Sequence, residues 1–405
     1  MEQRVLKIFQ WQDKLFNGAK RLKYFFRDRK LSENGPVNPI SEKDLKKFFL
    51  SDEEQVRRVK NHIERVGKKP VNKKKPRVFV AVHHVNWEKH GLVDGWAEVA
   101  DIIHYDWGGS FDQDAPTWHE KDKPLFNAEL LRRVEQACRE KPIDIFFSYL
   151  SGNWVYPDTI RAIGKLGPIT INISFDDQVK FWGYRRGSGL SGNAVIGPEF
   201  DICITSASIL DVSKYIAVGA NPLFLPPAVN PSAFSSPQLS RDISISFVGQ
   251  CYGIRPKIVE YLRMQGIPVQ TFGMGWPGGE LPLSELKNIY ARSIINIGFG
   301  YIGGSSKLVG LKGRDFEVPV TGGLYLTTYN SDLEGYFIIG KEIDCYRNKN
   351  ELARKLKFYL NNPDLALKIG EAGRQRCLCD HTWKNRFESI LKIAGFLQDF
   401  KSHER

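Results

Sequence analysis

From residue 77 onward the chain is written in short apolar runs separated by longer amphipathic stretches. The runs at 77–82 (RVFVAV), 102–105, 143–147, 169–173, 202–205 and 223–225 are bounded by polar turns. Helical spacing over 127–140, 157–165 and 207–218 fills most of the gaps between them. Strands that are apolar throughout and alternate with helices predict a parallel sheet covered on both faces. Pro226, Pro227 and Pro231 interrupt the rhythm. It restarts with runs at 243–248, 269–272, 294–297 and 324–327, and helices over 257–265, 283–291 and 351–360. The pattern therefore predicts two α/β halves with a proline-rich joint. Such halves face each other across a cleft at the carboxyl ends of their strands, where open α/β sheets bind ligands.

Upstream of residue 77 the spacing is helical. Val5, Ile8, Trp11, Leu15, Ala19, Leu22 and Phe26 step by three and four, with Lys7, Lys14, Arg21 and Lys23 off the stripe. A basic helix of this kind suits an anionic membrane surface; the alternative is a stripe packed on the protein's own body. Asn34, Gly35, Pro36 and Pro39 end it. Ser41 with Asp44, and Ser51 with Glu54, have the spacing of capped helix starts. Val56, Val59, Ile63 and Val66 supply an apolar face, and GKKPVNKKKP (67–76) reads as a solvated basic linker.

Charge sharpens this division. The 405 residues hold 58 Lys+Arg and 46 Asp+Glu, of which residues 1–75 hold 21 and 10. A nearly neutral body carries a basic extension, which speaks against a nucleic-acid partner and leaves an anionic surface for residues 1–30. No apolar run approaches the ~18 residues of a membrane span. The first thirty residues lack the apolar core of an export signal. Six scattered cysteines, with Cys377 and Cys379 expected to be plain thiols, suit a cytoplasmic protein, attached at most peripherally to the inner membrane face.

Candidate chemistry clusters at strand ends. In FVGQCYGIRPKI (247–258), a glycine turn and Arg255 sit between a strand and a helix, the position of an anion site. LKGRDFEVPVTGGLYLTT brings Lys312, Arg314, Glu317 and the pair Gly322 and Gly323 together. Two cations, a carboxylate and a double glycine suit a nucleoside diphosphate: cations on phosphate, Glu317 on ribose hydroxyls, glycines admitting the ligand to backbone amides. Taken singly, the same residues make a surface ion pair and a turn. In the first half, His83 and His84 follow the first strand, and Asp176 and Asp177 follow the fourth. His84 and Asp176 are the candidate general bases for a hydroxyl acceptor. The histidines could equally bond neighbouring backbone, and the aspartates cap a helix or pair with Arg185 and Arg186. FWGYRRGSGLSGNAVIG (181–197) reads either as an acceptor-binding flap or as a mobile surface loop.

The tract 247–386 resembles the C-terminal domain of CgeB-like, spore-maturation-type glycosyltransferases of the group 1 GT-B superfamily. The resemblance is carried by FVGQCYGIR, KGRDFEVPVTGGLYLTT, ELARKLKFYLNNPD and GEAGRQRCLCDHTWKNRF. It implies a GT-B fold: a helical basic extension (1–75), a Rossmann-like acceptor domain (76–228), a Rossmann-like donor domain (229–385), and a last helix (386–405) returning to the first domain. It implies a glycosyltransferase using a nucleoside-diphosphate sugar, a UDP-sugar first, with a glycan, lipid-linked glycan or other hydroxyl as acceptor and neither cofactor nor metal. Asp176 and Asp177 lack the D-x-D spacing of metal-dependent GT-A enzymes. Arg255, Lys312 and Arg314 would hold the diphosphate, Glu317 the ribose, Gly322 and Gly323 the phosphate loop, and Gly273 the loop near the base. The first glutamate of the superfamily's E-x7-E motif falls at Val309 here, so the resemblance does not name the sugar. A sugar-nucleotide epimerase of the same fold, or a non-catalytic nucleotide-sugar or glycan binder, are the alternatives.

Overall fold

The computed structural model describes residues 40–70, 75–183, 185–186, 189–234, 239–302, 305 and 308–397; the stripe at 5–26 lies outside them. Strands β1 (Arg77–Ala81), β2 (Asp101–Tyr105), β3 (Ile145–Ser148), β4 (Ile169–Ser174), β5 (Ile202–Thr205) and β6 (Pro222–Phe224) form one parallel sheet in the order β2-β1-β3-β4-β5-β6. Alternate side chains feed opposite faces. Val78, Val80, Ile145 and Phe147 enter one core, and Phe79, Ala81 and Phe146 the other. Both faces are covered, which is why these strands read as unbroken apolar runs.

Strands β7 (Ile243–Val248), β8 (Gln270–Phe272), β9 (Ser293–Ile297), β10 (Leu324–Thr328) and β11 (Asp344–Tyr346) form a second parallel sheet, ordered β8-β7-β9-β10-β11. The three residues of β11 are too few to register as an apolar run. The stretch expected to be one helix at 207–218 is a 3-10 turn, Ile209–Asp211, followed by a short helix, Val212–Ala217, because Ser208 caps the turn through Leu210 N–H.

One segment departs from the expected division. Helix α1 (Asp52–Arg65) starts with the anticipated capping box: Glu54 N–H donates to Ser51 Oγ (3.3 Å) and Ser51 N–H to Glu54 Oε2 (2.8 Å). Its Val59 and Ile63 are buried with Val78, Ile169 and Leu223, and Phe224 N–H donates to Gln55 Oε1 (2.8 Å). Lys68, read as linker, donates to Pro168 O and to Asp201, which His62 also bonds. This part of the basic segment belongs to the first sheet's body.

At the other end, α2 (Trp383–Ile393) packs into the same core. Phe387 stacks on Trp96 at 4.2 Å and Trp383 on Trp87 at 6.0 Å. The joint is stitched where the chain crosses back: Val229 N–H donates to His381 O and Trp383 N–H to Val229 O, both 3.0 Å.

Candidate active site

The site begins where β7 and β8 end. Gly249 has φ +151° and Gly273 φ +114°, and a Cβ on Gly273 would stand 2.4 Å from Gly249 O. Only glycine allows this approach. The two loops are then tied by Gly249 N–H to Phe272 O (2.8 Å) and Cys251 N–H to Met274 O (2.9 Å).

Against this floor stand three cations. Arg255 opens the helix Arg255–Met264, is 4% exposed, donates to Gln250 O (3.0 Å) and lies over the Tyr252 ring at 4.3 Å. Arg314, on the turn Arg314–Glu317, donates to Val248 O (3.3 Å); its Nε is buried without a partner. Arg255 and Arg314 share the Phe247 ring, at 5.6 and 6.0 Å. Burial, then repulsion by Arg314, pushes Arg255 down to about 10. Burial pushes Lys312 down to about 8, against the pull of Asp176. Among the described residues, none of the three cations has a carboxylate at ion-pair distance.

Glu317 joins them: burial lifts its carboxyl to about 7, opposed by Arg314 and reinforced by Asp315. Asp315 was not singled out from the sequence. It is buried, accepts from Tyr325 Oη (2.8 Å) and Lys312 N–H (2.7 Å), and so fixes the turn that presents Lys312, Arg314 and Glu317. Its position between Arg314 and Glu317 was the available signal.

Gly322 and Gly323 lie elsewhere. They precede β10, at the amino end of the sheet, away from the strand ends where Gly249 and Arg255 sit. A Cβ on Gly323 would meet Ser293 O at 2.6 Å, and one on Gly370 would meet Gly322 O at 2.5 Å. Arg241 donates to Ser293 O and Thr321 O beside them. The double glycine serves close packing of a helix and an arginine, which removes it from the phosphate site.

Across from the cations are the ends of the first sheet. Gln178 donates to Val309 O (3.0 Å) and Leu311 N–H to Ala207 O (2.8 Å), so the segment leading into Lys312 docks on the loops after β4 and β5. Val309, where the superfamily's glutamate would fall, is used through its carbonyl. Asp176 is half exposed and paired with Lys180 (2.7 Å) while its charge acts on Lys312. Asp177 is fully buried and accepts from Ser174 Oγ, Asn193 Nδ2 and Tyr215 Oη, a structural role. Phe181 and Trp182 are buried core side chains, which removes their rings from an acceptor-binding flap.

The two histidines differ. His84 Nδ1 accepts from Lys89 N–H (3.3 Å), in a loop whose amides at Val85, Asn86 and Trp87 all donate to Glu88. His83 instead bonds Asp106 through Nδ1 at 2.8 Å. The structure therefore separates the candidate bases: His84 anchors a loop, Asp176 is ion-paired, and His83 has a carboxylate behind it. No group of three or more His, Cys, Asp or Glu among the described residues could hold a metal ion.

Residues 255–392 match the family described as glycosyl transferase-like, and all three cations fall within that stretch. The two-sheet architecture is that of the GT-B glycosyltransferases. It is similar to sucrose-phosphate synthase from Thermosynechococcus elongatus (TM-score 0.54, 12% identity, 78% of this chain and 98% of that one). It is similar also to a glycosyltransferase from Rickettsia africae (TM-score 0.53, 13% identity, 80% and 98%). The Anabaena protein HepE in complex with UDP-glucose gives TM-score 0.53 at 9% identity over 78% and 99%. At these identities the likeness establishes the fold. No curated protein matches the chain in sequence.

Proposed function

We propose that this protein transfers a sugar from a nucleoside-diphosphate sugar, a UDP-sugar first, to a hydroxyl of a glycan or lipid-linked glycan. One observation carries the reading: three buried or half-buried cations converge at the carboxyl end of β7, and among the described residues none has a carboxylate at ion-pair distance. Buried charge without a partner is costly, and a diphosphate supplies the partner. Arg255, Lys312 and Arg314 then stabilise the charge that grows on the leaving diphosphate. Glu317, on the same turn as Arg314, accepts from the ribose hydroxyls. Gly273 lets the loop near the base close on Gly249. HepE, of the same fold, was captured with UDP and with UDP-glucose, which supports uridine as the base to try first. The cleft between the sheets excludes water from the transfer.

The basic stripe of residues 1–30 places the enzyme on an anionic cytoplasmic membrane surface, beside a lipid-linked acceptor. No described helix is long and apolar enough to cross a membrane.

The test is a thermal-shift panel of UDP, GDP, CDP, ADP and dTDP. A ligand that binds only the folded state raises the melting temperature by mass action. UDP should give the largest shift, and Arg314→Ala should remove most of it. A protein that responds to none of the five is not a nucleotide-sugar enzyme.

A further inference from the structure

Lys312 belongs to the second half, but the segment that carries it is fastened to the first. Val309 O accepts from Gln178 Nε2 (3.0 Å), and Leu311 N–H donates to Ala207 O (2.8 Å). Gly310 lies between these two bonds. A Cβ there would stand 2.9 Å from Gln178 Oε1, 3.0 Å from Ala207 O and 2.6 Å from Ile302 Cδ1. A residue without a side chain lets the two halves meet this closely. On its other side the segment pairs with its own half. Val309 bridges Tyr301, and Gly310 N–H donates to Gly300 O (3.1 Å). Residues 309–311 are thus a strip gripped from both halves.

The grip from the first half is firm. Gln178 sits on the single turn of helix Asp177–Lys180, whose first residue is buried and accepts from Ser174, Asn193 and Tyr215. Lys214 Nζ donates to Asp177 O (2.7 Å) and Gln178 O (3.4 Å) and pairs with Asp211 (2.7 Å). A further bond between the halves comes from Ile209 N–H to Asp332 Oδ2 (3.3 Å).

The strip leads directly to the cations. Three residues of chain, at most about 10 Å, take Val309 to Lys312. At the far end Lys312 N–H donates to Asp315 Oδ2 (2.7 Å). A segment this short, held at both ends, carries a shift at one end to the other. Asp176, two residues before Gln178, also acts on Lys312 through its charge. Arg255 and Arg314 differ, since they are held by the second-half carbonyls of Gln250 and Val248.

We infer that Gln178 is a positioning residue for the nucleotide site: from the first half, through Val309, it sets where Lys312 stands against the diphosphate. The inference rests on the nucleotide-sugar reading above, in which Lys312 meets phosphate. The affinity of the second half for its nucleotide then depends on a first-half side chain.

The experiment measures binding of UDP and uridine to the full chain by calorimetry, with melting curves to confirm that each variant is folded. Gln178→Met keeps the length of the side chain and removes its amide. It should weaken UDP about ten-fold and leave uridine within two-fold, because the displaced group serves phosphate. Gly310→Ala, which wedges the strip away from Gln178 and Ala207, should do the same and serves as an independent second variant. The decisive measurement is a double-mutant cycle with Lys312→Met. If Gln178 acts through Lys312, the double variant binds UDP no more weakly than Lys312→Met alone. Losses that multiply in the double variant, or that are equal for UDP and uridine, overturn the positioning role and leave the nucleotide reading standing. A wild-type chain that does not bind UDP overturns the nucleotide reading and the positioning role with it.

Discussion

The Arg314 guanidinium lies against Gly249: a Cβ at Gly249 would stand 2.7 Å from Arg314 Nη1. Gly249→Ala therefore displaces the end of a flexible side chain and also strains a backbone with φ +151°. The strain costs about 1–3 kcal/mol. The protein should still fold, with a lower melting temperature. Its affinity for UDP should fall more than its affinity for uridine, because the displaced group serves phosphate. Calorimetry with both ligands decides; equal losses would place Arg314 away from the diphosphate.

Glu317 and Lys312 make UDP binding proton-linked. Burial lifts Glu317 to about 7 and pushes Lys312 down to about 8. Ribose hydroxyls bond the ionised carboxylate, and diphosphate favours the protonated amine. Binding at pH 6.5 should release protons, and binding at pH 8.5 should take them up. Titrations in buffers of different ionisation heat measure both, and Glu317→Gln should abolish the release. The same shifts act on stability through linkage. Folded Glu317 holds its proton over a range in which the unfolded group has lost it, so its contribution falls as pH rises from 4.5 to about 7. Lys312 acts in the opposite direction, its contribution rising from about 8 to 10.5. Absence of proton exchange at both pH values would take these groups out of the site.

The strands were legible because both faces of each sheet are covered. Burial on two sides leaves a plain apolar run, and ten of the eleven strands sit within two residues of such a run at each end. The clustering of Lys312, Arg314 and Glu317 on one turn was legible because the three stand within six residues of one another in the sequence. The double glycine misled, since a glycine that admits a ligand and one that admits a neighbouring helix look alike in sequence. His83 and His84 also look alike, and only the β1 to β2 pairing brings Asp106 beside one of them. Helix α1 was assigned to the extension because its apolar face, Val59 and Ile63 included, does not say in sequence what it packs on, and the basic stretch after it read as a linker; both residues are buried against residues beyond 77.

The motif His381, Thr382 and Arg386 acquires a physical role at the joint. His381 Nε2 bonds Tyr336 O (2.8 Å), and Arg386 bonds His381 Nδ1 (3.2 Å), Pro226 O (3.3 Å) and Asp380 O (3.1 Å). Burial pushes His381 down to about 4. Between about 4 and 6.5 the unfolded imidazole binds a proton that the folded one refuses, so stability is lost as pH falls through that window. The melting temperature of the wild type should drop across it more steeply than that of His381→Asn. Arg386→Ala leaves the part-buried Pro226 carbonyl and His381 Nδ1 without this donor and should cost about 1–3 kcal/mol in urea unfolding. Parallel pH profiles for wild type and His381→Asn would mean that the imidazole charges freely in the folded protein.

The basic segment separates into a part that folds and a part that can be removed. Deleting residues 1–75 takes away Val59 and Ile63, buried in the first core, and the bonds of Gln55 and Lys68. Each of the two aliphatic side chains contributes about 1.5–3 kcal/mol by burial, so that truncation should unfold or aggregate. Deleting residues 1–39 leaves α1 whole and should leave UDP binding unchanged. Those 39 residues hold 9 Lys+Arg against 4 Asp+Glu and the whole Val5, Ile8, Trp11, Leu15, Leu22 and Phe26 stripe. Near an anionic surface each cation contributes about 1 kcal/mol, screened by salt beyond a Debye length. The full chain should therefore co-sediment with vesicles containing phosphatidylglycerol at low salt, bind less as salt rises, and ignore neutral phosphatidylcholine. The chain lacking residues 1–39 should stay in the supernatant with both. If it binds anionic vesicles as well as the full chain does, the attachment lies in the body. If it becomes insoluble, the stripe was packed on the protein, and the membrane assignment of residues 1–30 is lost.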